Sequence, residues 1–129
     1  MANSWQAPYD TGWLLNELGG ASTADWTNVH LGDDPTDPAD TVTHGLNAPL
    51  SKLLVRLLVS SDGTDNNSIE LRGGGGNTGY AFNVYQIDSN NIKIQTGSLG
   101  LSYARDSDGA LTALNTQNWY YKVRVYYLG

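Results

Sequence analysis

Apolar and polar residues alternate along much of the second half of the chain, and that period of two predicts strands rather than helices. In the closing run, Trp119, Tyr121, Val123, Val125 and Tyr127 fall on one face, and Tyr120, Lys122, Arg124, Tyr126 and Leu128 on the other. The first row reads as core. The second, two cations set among tyrosines, is expected to meet solvent or a neighbouring chain. Lys52–Ser60 repeats the pattern, with Leu53, Val55, Leu57 and Val59 on one face and an only partly wet face opposite. Ser68–Arg72 makes a shorter strand after the Asp62–Asn67 turn. Tyr80–Ile87 and Asn91–Thr96 flank Asp88–Asn90, which suits a hairpin, and Leu99–Ala104 runs into the turn signature Arg105–Gly109.

Helical spacing is confined to Trp13–Leu18, closed by Gly19 and Gly20. That stretch is too short to hold a helix alone and suits a strand equally; we read it as a strand. Pro35 and Pro38 exclude a regular strand interior between Gly32 and Ala39, so residues 32–40 are expected as an exposed acidic loop. Residues 1–8 are expected as an N-terminal arm, with Trp5 needing an apolar place to dock. The fold class that follows is all-β: a single antiparallel β-sandwich, jelly-roll-like, with an extended arm.

Composition agrees with that class. The chain has 129 residues, enough for one core, with 15 glycines, 4 tryptophans, 8 tyrosines and one phenylalanine. It has no cysteine, so neither disulfides nor thiolate metal sites stabilise it. The net charge is −6, and its distribution is uneven. No Lys or Arg precedes Ser51, whereas Asp10, Glu17, Asp25, Asp33, Asp34, Asp37 and Asp40 all do. Such an acidic first third disfavours nucleic acid and anionic membranes, and suits either a basic partner or a solvated face. No run approaches a membrane span, and residues 1–5 lack the basic and apolar regions of a secretory leader.

Candidate chemistry is sparse. Gly73–Gly79 lacks the Lys-Ser/Thr ending and following helix of a phosphate loop, so it reads as a hairpin or long loop. His30 and His44 are the only histidines, and His44, in Thr-His-Gly-Leu, reads as packed or adjacent to a turn. The Asp33–Asp40 segment offers oxygen ligands but not the pattern of a helix-loop-helix calcium site, and its prolines restrict convergence. Asp10 and Glu17 lack an opposing carboxylate, and no nucleophile-elbow motif occurs. The expectation is a non-enzyme without cofactor or metal.

Several segments, taken in order, resemble a small β-domain of tail-fibre and related virion proteins of tailed bacteriophages. Tyr9-Asp-Thr-Gly-Trp13 is similar to that family's Asp-Ser/Thr-Gly-Trp opening. Val42-Thr-His-Gly-Leu46 with Pro49 resembles its His-Gly-Leu/Asn-x-x-Pro segment. Asn91-Ile-Lys-Ile-Gln-Thr-Gly97 resembles its later alternating strand, and Trp119-Tyr-Tyr-Lys-Val-Arg-Val125 its tyrosine-rich terminus. The likeness spans about Tyr9 to Leu128 and departs in the acidic insert between Trp13 and His44.

The resemblance implies a virion structural protein of tail-fibre or host-attachment type, located in the particle and assembling as a homotrimer with itself and other virion proteins. It also implies a host-surface glycan as a partner in some members, and no catalytic residues. A capsid cement protein and a free carbohydrate-binding module are the alternatives. The residues expected to meet partners are Trp5, the loop carboxylates Asp33, Asp34, Asp37 and Asp40, and the outward row Tyr120, Lys122, Arg124 and Tyr126.

Overall fold

A computed structural model describes residues 5–18, 25–72, 79–114 and 117–128, the side chains of residues 5–8 excepted. Ten strands are assigned among them: β1 (Trp5–Asp10), β2 (Leu14–Leu15), β3 (Val42–Thr43), β4 (Leu53–Ser60), β5 (Ser68–Leu71), β6 (Phe82–Asp88), β7 (Asn91–Thr96), β8 (Ser102–Ala104), β9 (Leu111–Ala113) and β10 (Tyr120–Leu128). Single 3-10 turns over Leu50–Lys52 and Asp65–Asn67 are the only helical pieces among the described residues. All named strand pairs are antiparallel.

The largest sheet runs β1-β10-β4-β5, and β2 pairs with β10 beyond β1. β10 is its centre because it is the longest alternating run, with a full apolar row to bury. Tyr121 lies opposite Val59 and Val123 opposite Leu57, and all four are fully buried. A second sheet runs β3-β7-β6, and β8 and β9 form a separate hairpin. Leu57, Tyr121, Val123 and Val125 from the first sheet meet Val42, Ile92 and Ile94 from the second in one core, the packing of a β-sandwich.

Each sheet fills one edge of its middle strand with two short segments in succession. On β10, β1 and then β2 share an edge, with the Thr11 N–H donating to the Val123 carbonyl between them at 3.0 Å. On β7, the edge shared with β3 also takes residues 29–31, through Thr96 N–H to Val29 O and Leu31 N–H to Ile94 O. That segment carries Trp26, Val29 and Leu31 into the core without regular alternation.

Two expectations need correction. Residues 5–8 are not a free arm: Trp5 and Gln6 pair with Leu128 and Tyr127, and Tyr9 with Val125. Pro8 falls where the register shifts, so its missing N–H breaks no regular ladder. Residues 1–4 lie outside the described residues. In Trp13–Leu18 only Leu14 and Leu15 are strand, and the Asn16 side chain turns back to accept the Leu18 N–H at 2.8 Å. The Gly73–Gly79 run lies outside the described residues except for Gly79. β3 and β9 were not anticipated, being only two and three residues long.

Buried hydroxyls make long-range polar ties in the core: Thr96 bonds the Val29 backbone, and Tyr121 reaches Gly32. The Tyr121 hydroxyl donates to the Gly32 carbonyl at 2.7 Å, and the Tyr121 ring stands edge-on to Trp26. Burial among apolar neighbours pushes the Tyr121 phenol well above its ordinary value, so it remains a donor throughout the working pH range. Gly32 has no room for a side chain: a Cβ would lie 2.6 Å from the Thr41 carbonyl. Tyr121→Phe, which leaves the Gly32 carbonyl unpaired, should lower unfolding free energy in urea titrations by about 1–3 kcal/mol. Gly32→Ala should cost a similar ~1–3 kcal/mol through the backbone clash.

Candidate functional site

The outward row of β10 is in the place its alternation implies. Tyr120, Lys122, Arg124 and Tyr126 are all partly buried rather than fully wet, and each cation is already engaged. Lys122 Nζ lies 4.7 Å from the Trp13 ring centroid and 3.1 Å from Asp65 Oδ1, which also accepts the Trp13 indole N–H. Arg124 contacts Asp10 at 3.1 Å and lies 5.2 Å from the Tyr126 ring centroid. Arg56, opposite Arg124 on β4, approaches the same ring and donates to the Tyr126 hydroxyl at 2.9 Å. Its other Nη meets Glu70 Oε1 at 2.5 Å.

The hydrogen bond from Arg56 holds Glu70 below the usual carboxylate range, and the same bond raises the guanidinium further. Lys122 and then Trp13 do the same for the Asp65 carboxylate, lowering it. Asp65 is 81 % exposed, so the pair with Lys122 contributes little to stability. The row is therefore a neutralised lattice of cations, rings and acids, not a bare basic patch. Beside the row, on β4, the apolar side chain of Leu54 is 44 % exposed and opposite Tyr126.

The acidic loop is equally self-contained. Asp34 Oδ1 accepts the N–H and the hydroxyl of Thr36, Asp37 Oδ1 accepts the Ala39 N–H, and Asp40 Oδ2 accepts the Asp34 N–H. Asp33 is bonded by the Tyr9 hydroxyl and by the Thr43 N–H. The Thr36 bonds hold Asp34 below the ordinary carboxylate value. These carboxylates fold their own loop, and among the described residues no group of three or more His, Asp or Glu is arranged to hold a metal ion. Trp5 is placed at the start of β1, far along β10 from Lys122 and Arg124 in register.

Two surfaces escaped the sequence reading. The first is the outer edge of β6, which no strand pairs among the described residues. β6 contains neither Pro nor Gly nor Lys, and it exposes Tyr85 and Ile87 by nearly half. Lys93 of β7 covers the Tyr85 ring at 5.5 Å. The alternation of this strand was legible, but its position at an edge was not.

The second is an open groove of about 540 Å³ between the turn that follows β4 and the turn that follows β8. Asn66, Arg105, Asp106 and Ser107 line its polar walls, and the rings of Tyr103 and Trp119 lie 5.4 Å apart along it. The turn residues were legible only as turns, because their convergence depends on which strands lie side by side.

Comparison of the chain with protein-family models, curated proteins and solved structures finds no match.

His44 is buried, and its Nδ1 accepts the Leu46 N–H at 3.0 Å, which places the ring proton on Nε2. Burial holds this imidazole below its ordinary value of 6.5, with the Asp88 charge opposing. The folded state thus binds fewer protons than the unfolded chain just below that value, and stability falls as pH drops through the window. The lowered carboxylates, Glu70 and Asp62 among them, add a second loss below their ordinary values of 4.5 and 3.8. Thermal melts should show two downward steps on acidification. In His44→Asn, whose side-chain oxygen still accepts the Leu46 N–H, the first step should vanish while the second remains.

Proposed function

We propose that this chain is a bacteriophage virion structural protein of tail-fibre or host-attachment type that assembles as a homotrimer. The observation that most supports assembly is the open edge of β6. Natural sheets protect their edges with proline, lysine, bulges or a covering segment, because an unpaired edge templates the addition of another strand. β6 has seven residues, and its sole irregularity is a register shift between Gln86 and Asp88 at its end. Tyr85 and Ile87 add exposed apolar area beside the unpaired backbone, as expected of a surface covered by another chain.

Contacts made by strand addition fit the ordered resemblance to phage fibre domains. They also revise where assembly is centred. The β10 row and the acidic loop have satisfied their charges internally, so they suit a rim of contact better than its centre. Leu54 and Tyr126 remain as an accessory apolar patch on the face of the larger sheet.

At micromolar concentration, sedimentation equilibrium should give a trimer. Tyr85→Lys with Ile87→Lys should disperse it to monomers without loss of strand signal in circular dichroism, since both positions are exposed. Quantitative mass spectrometry of purified particles should find the chain in few copies. A monomeric wild-type chain overturns the trimer, and hundreds of copies per particle would reassign the protein to capsid cement.

A further inference from the structure

We infer that the groove between the β4–β5 and β8–β9 turns is a binding site for a neutral oligosaccharide. The inference deepens the attachment reading and rests on it for the identity of the surface recognised; the chemistry is that of the groove itself. An oligosaccharide needs an aromatic face for the apolar side of a sugar ring, rigid walls, and donors and acceptors free to meet hydroxyls. All three occur together.

Tyr103 and Trp119 supply the aromatic face, their rings inclined by 35° and both only partly buried. Trp119 also packs against the core, so the platform is anchored. Ser60 organises one wall. It is fully buried, and its Oγ accepts the Gly63 N–H at 3.0 Å and the Thr64 N–H at 3.2 Å. Asp62 finishes that turn by accepting the Thr64 hydroxyl at 2.7 Å and the Asn67 amide at 2.5 Å. The opposite wall is closed by the Gly109 N–H donating to the Arg105 carbonyl at 2.7 Å and the Ala110 N–H donating to Asp108 at 3.0 Å. A ligand would find both walls already ordered, which removes much of the entropic cost of binding.

The residues lining the groove also carry polar groups not spent on this bracing. The Asn66 amide, the Asp106 carboxylate and the Ser107 hydroxyl have no hydrogen-bond partner among the described residues, and neither do the Tyr103 hydroxyl and the Trp119 indole N–H. They offer both donors and acceptors, which is what sugar hydroxyls require. Charge then selects among sugars. The groove's one cation, Arg105, is held by Asp108 through contacts of 2.6 and 3.2 Å. Asp106 leaves the remaining charge negative, so phosphate, sialic or uronic groups are disfavoured, as is a nucleic-acid strand despite the stacking rings.

The test is a microarray of neutral and acidic bacterial surface oligosaccharides, followed by isothermal titration with the strongest neutral member. Saturable binding that is unchanged between low and high salt is expected. Trp119→Ala should abolish it. Because Trp119 also supports the core, Asn66→Ala and Asp106→Ala provide the decisive pair: both side chains are exposed, melting should not move, and affinity should fall about tenfold in each.

Binding to acidic glycans alone, no saturable binding to any glycan, or affinity untouched by all three substitutions overturns the inference. Purified particles separate it from the attachment reading. A chain absent from particles that still binds neutral glycan refutes attachment and keeps the groove. A chain present in particles that binds none does the reverse.

Discussion

One buried hydroxyl ties the two halves of this protein together. Tyr121 lies near the start of the central strand, and every apolar neighbour it has would be as well served by phenylalanine. Its oxygen instead reaches across 89 positions of sequence to the carbonyl of Gly32, at the root of the acidic loop. An unpaired carbonyl at that depth would be costly, so the bond fixes where the loop leaves the core. From Gly32 onward the loop's own carboxylates close its turns, and Tyr9 on β1 bonds Asp33 from the same sheet as Tyr121. The acidic first third is therefore pinned to the sheet at two tyrosines, and like charges are held in turn geometry rather than left to repel freely.

Strand content was legible wherever one face is buried and the other is not. β4, β7 and β10 alternate cleanly, and their observed bounds fall within a residue of the alternating runs. β1 was obscured by Pro8, which is tolerated only because a register shift removes the need for its N–H. The segment around Trp26, Val29 and Leu31 was illegible for a different reason: its burial follows from riding along one edge of β7, not from a periodicity of its own.

The candidate sites divide along the same line. That Lys122 and Arg124 point outward could be read from the alternation of β10. That Asp65 and Asp10 cancel them could not, because the partners meet only through strand register. The loop carboxylates are an intermediate case. Asp34-Pro-Thr36 and Asp37-Pro-Ala39 repeat one spacing, and in both the aspartate accepts the N–H two positions on. That repeat of Asp-Pro was a turn signal present in the sequence, and it accounts for carboxylates turned toward their own backbone rather than toward a partner.

The strand at the middle of the larger sheet, β10, comes after all of its partners in sequence. β1, β2 and β4 all find their partner in residues 120–128, so none of them can complete its hydrogen bonds until that segment is available. During synthesis the apolar rows of β4 and β5 must wait, solvent-facing and without their central neighbour, until residues 120–128 are made. Folding of the larger sheet is thus coupled to the synthesis of residues 120–128, with slow, non-local closure as its expected kinetic character. A ribosome that stops short of Tyr120 would release a chain whose unsatisfied strands invite chaperones, proteases or aggregation, so quality control is built into the order of the strands.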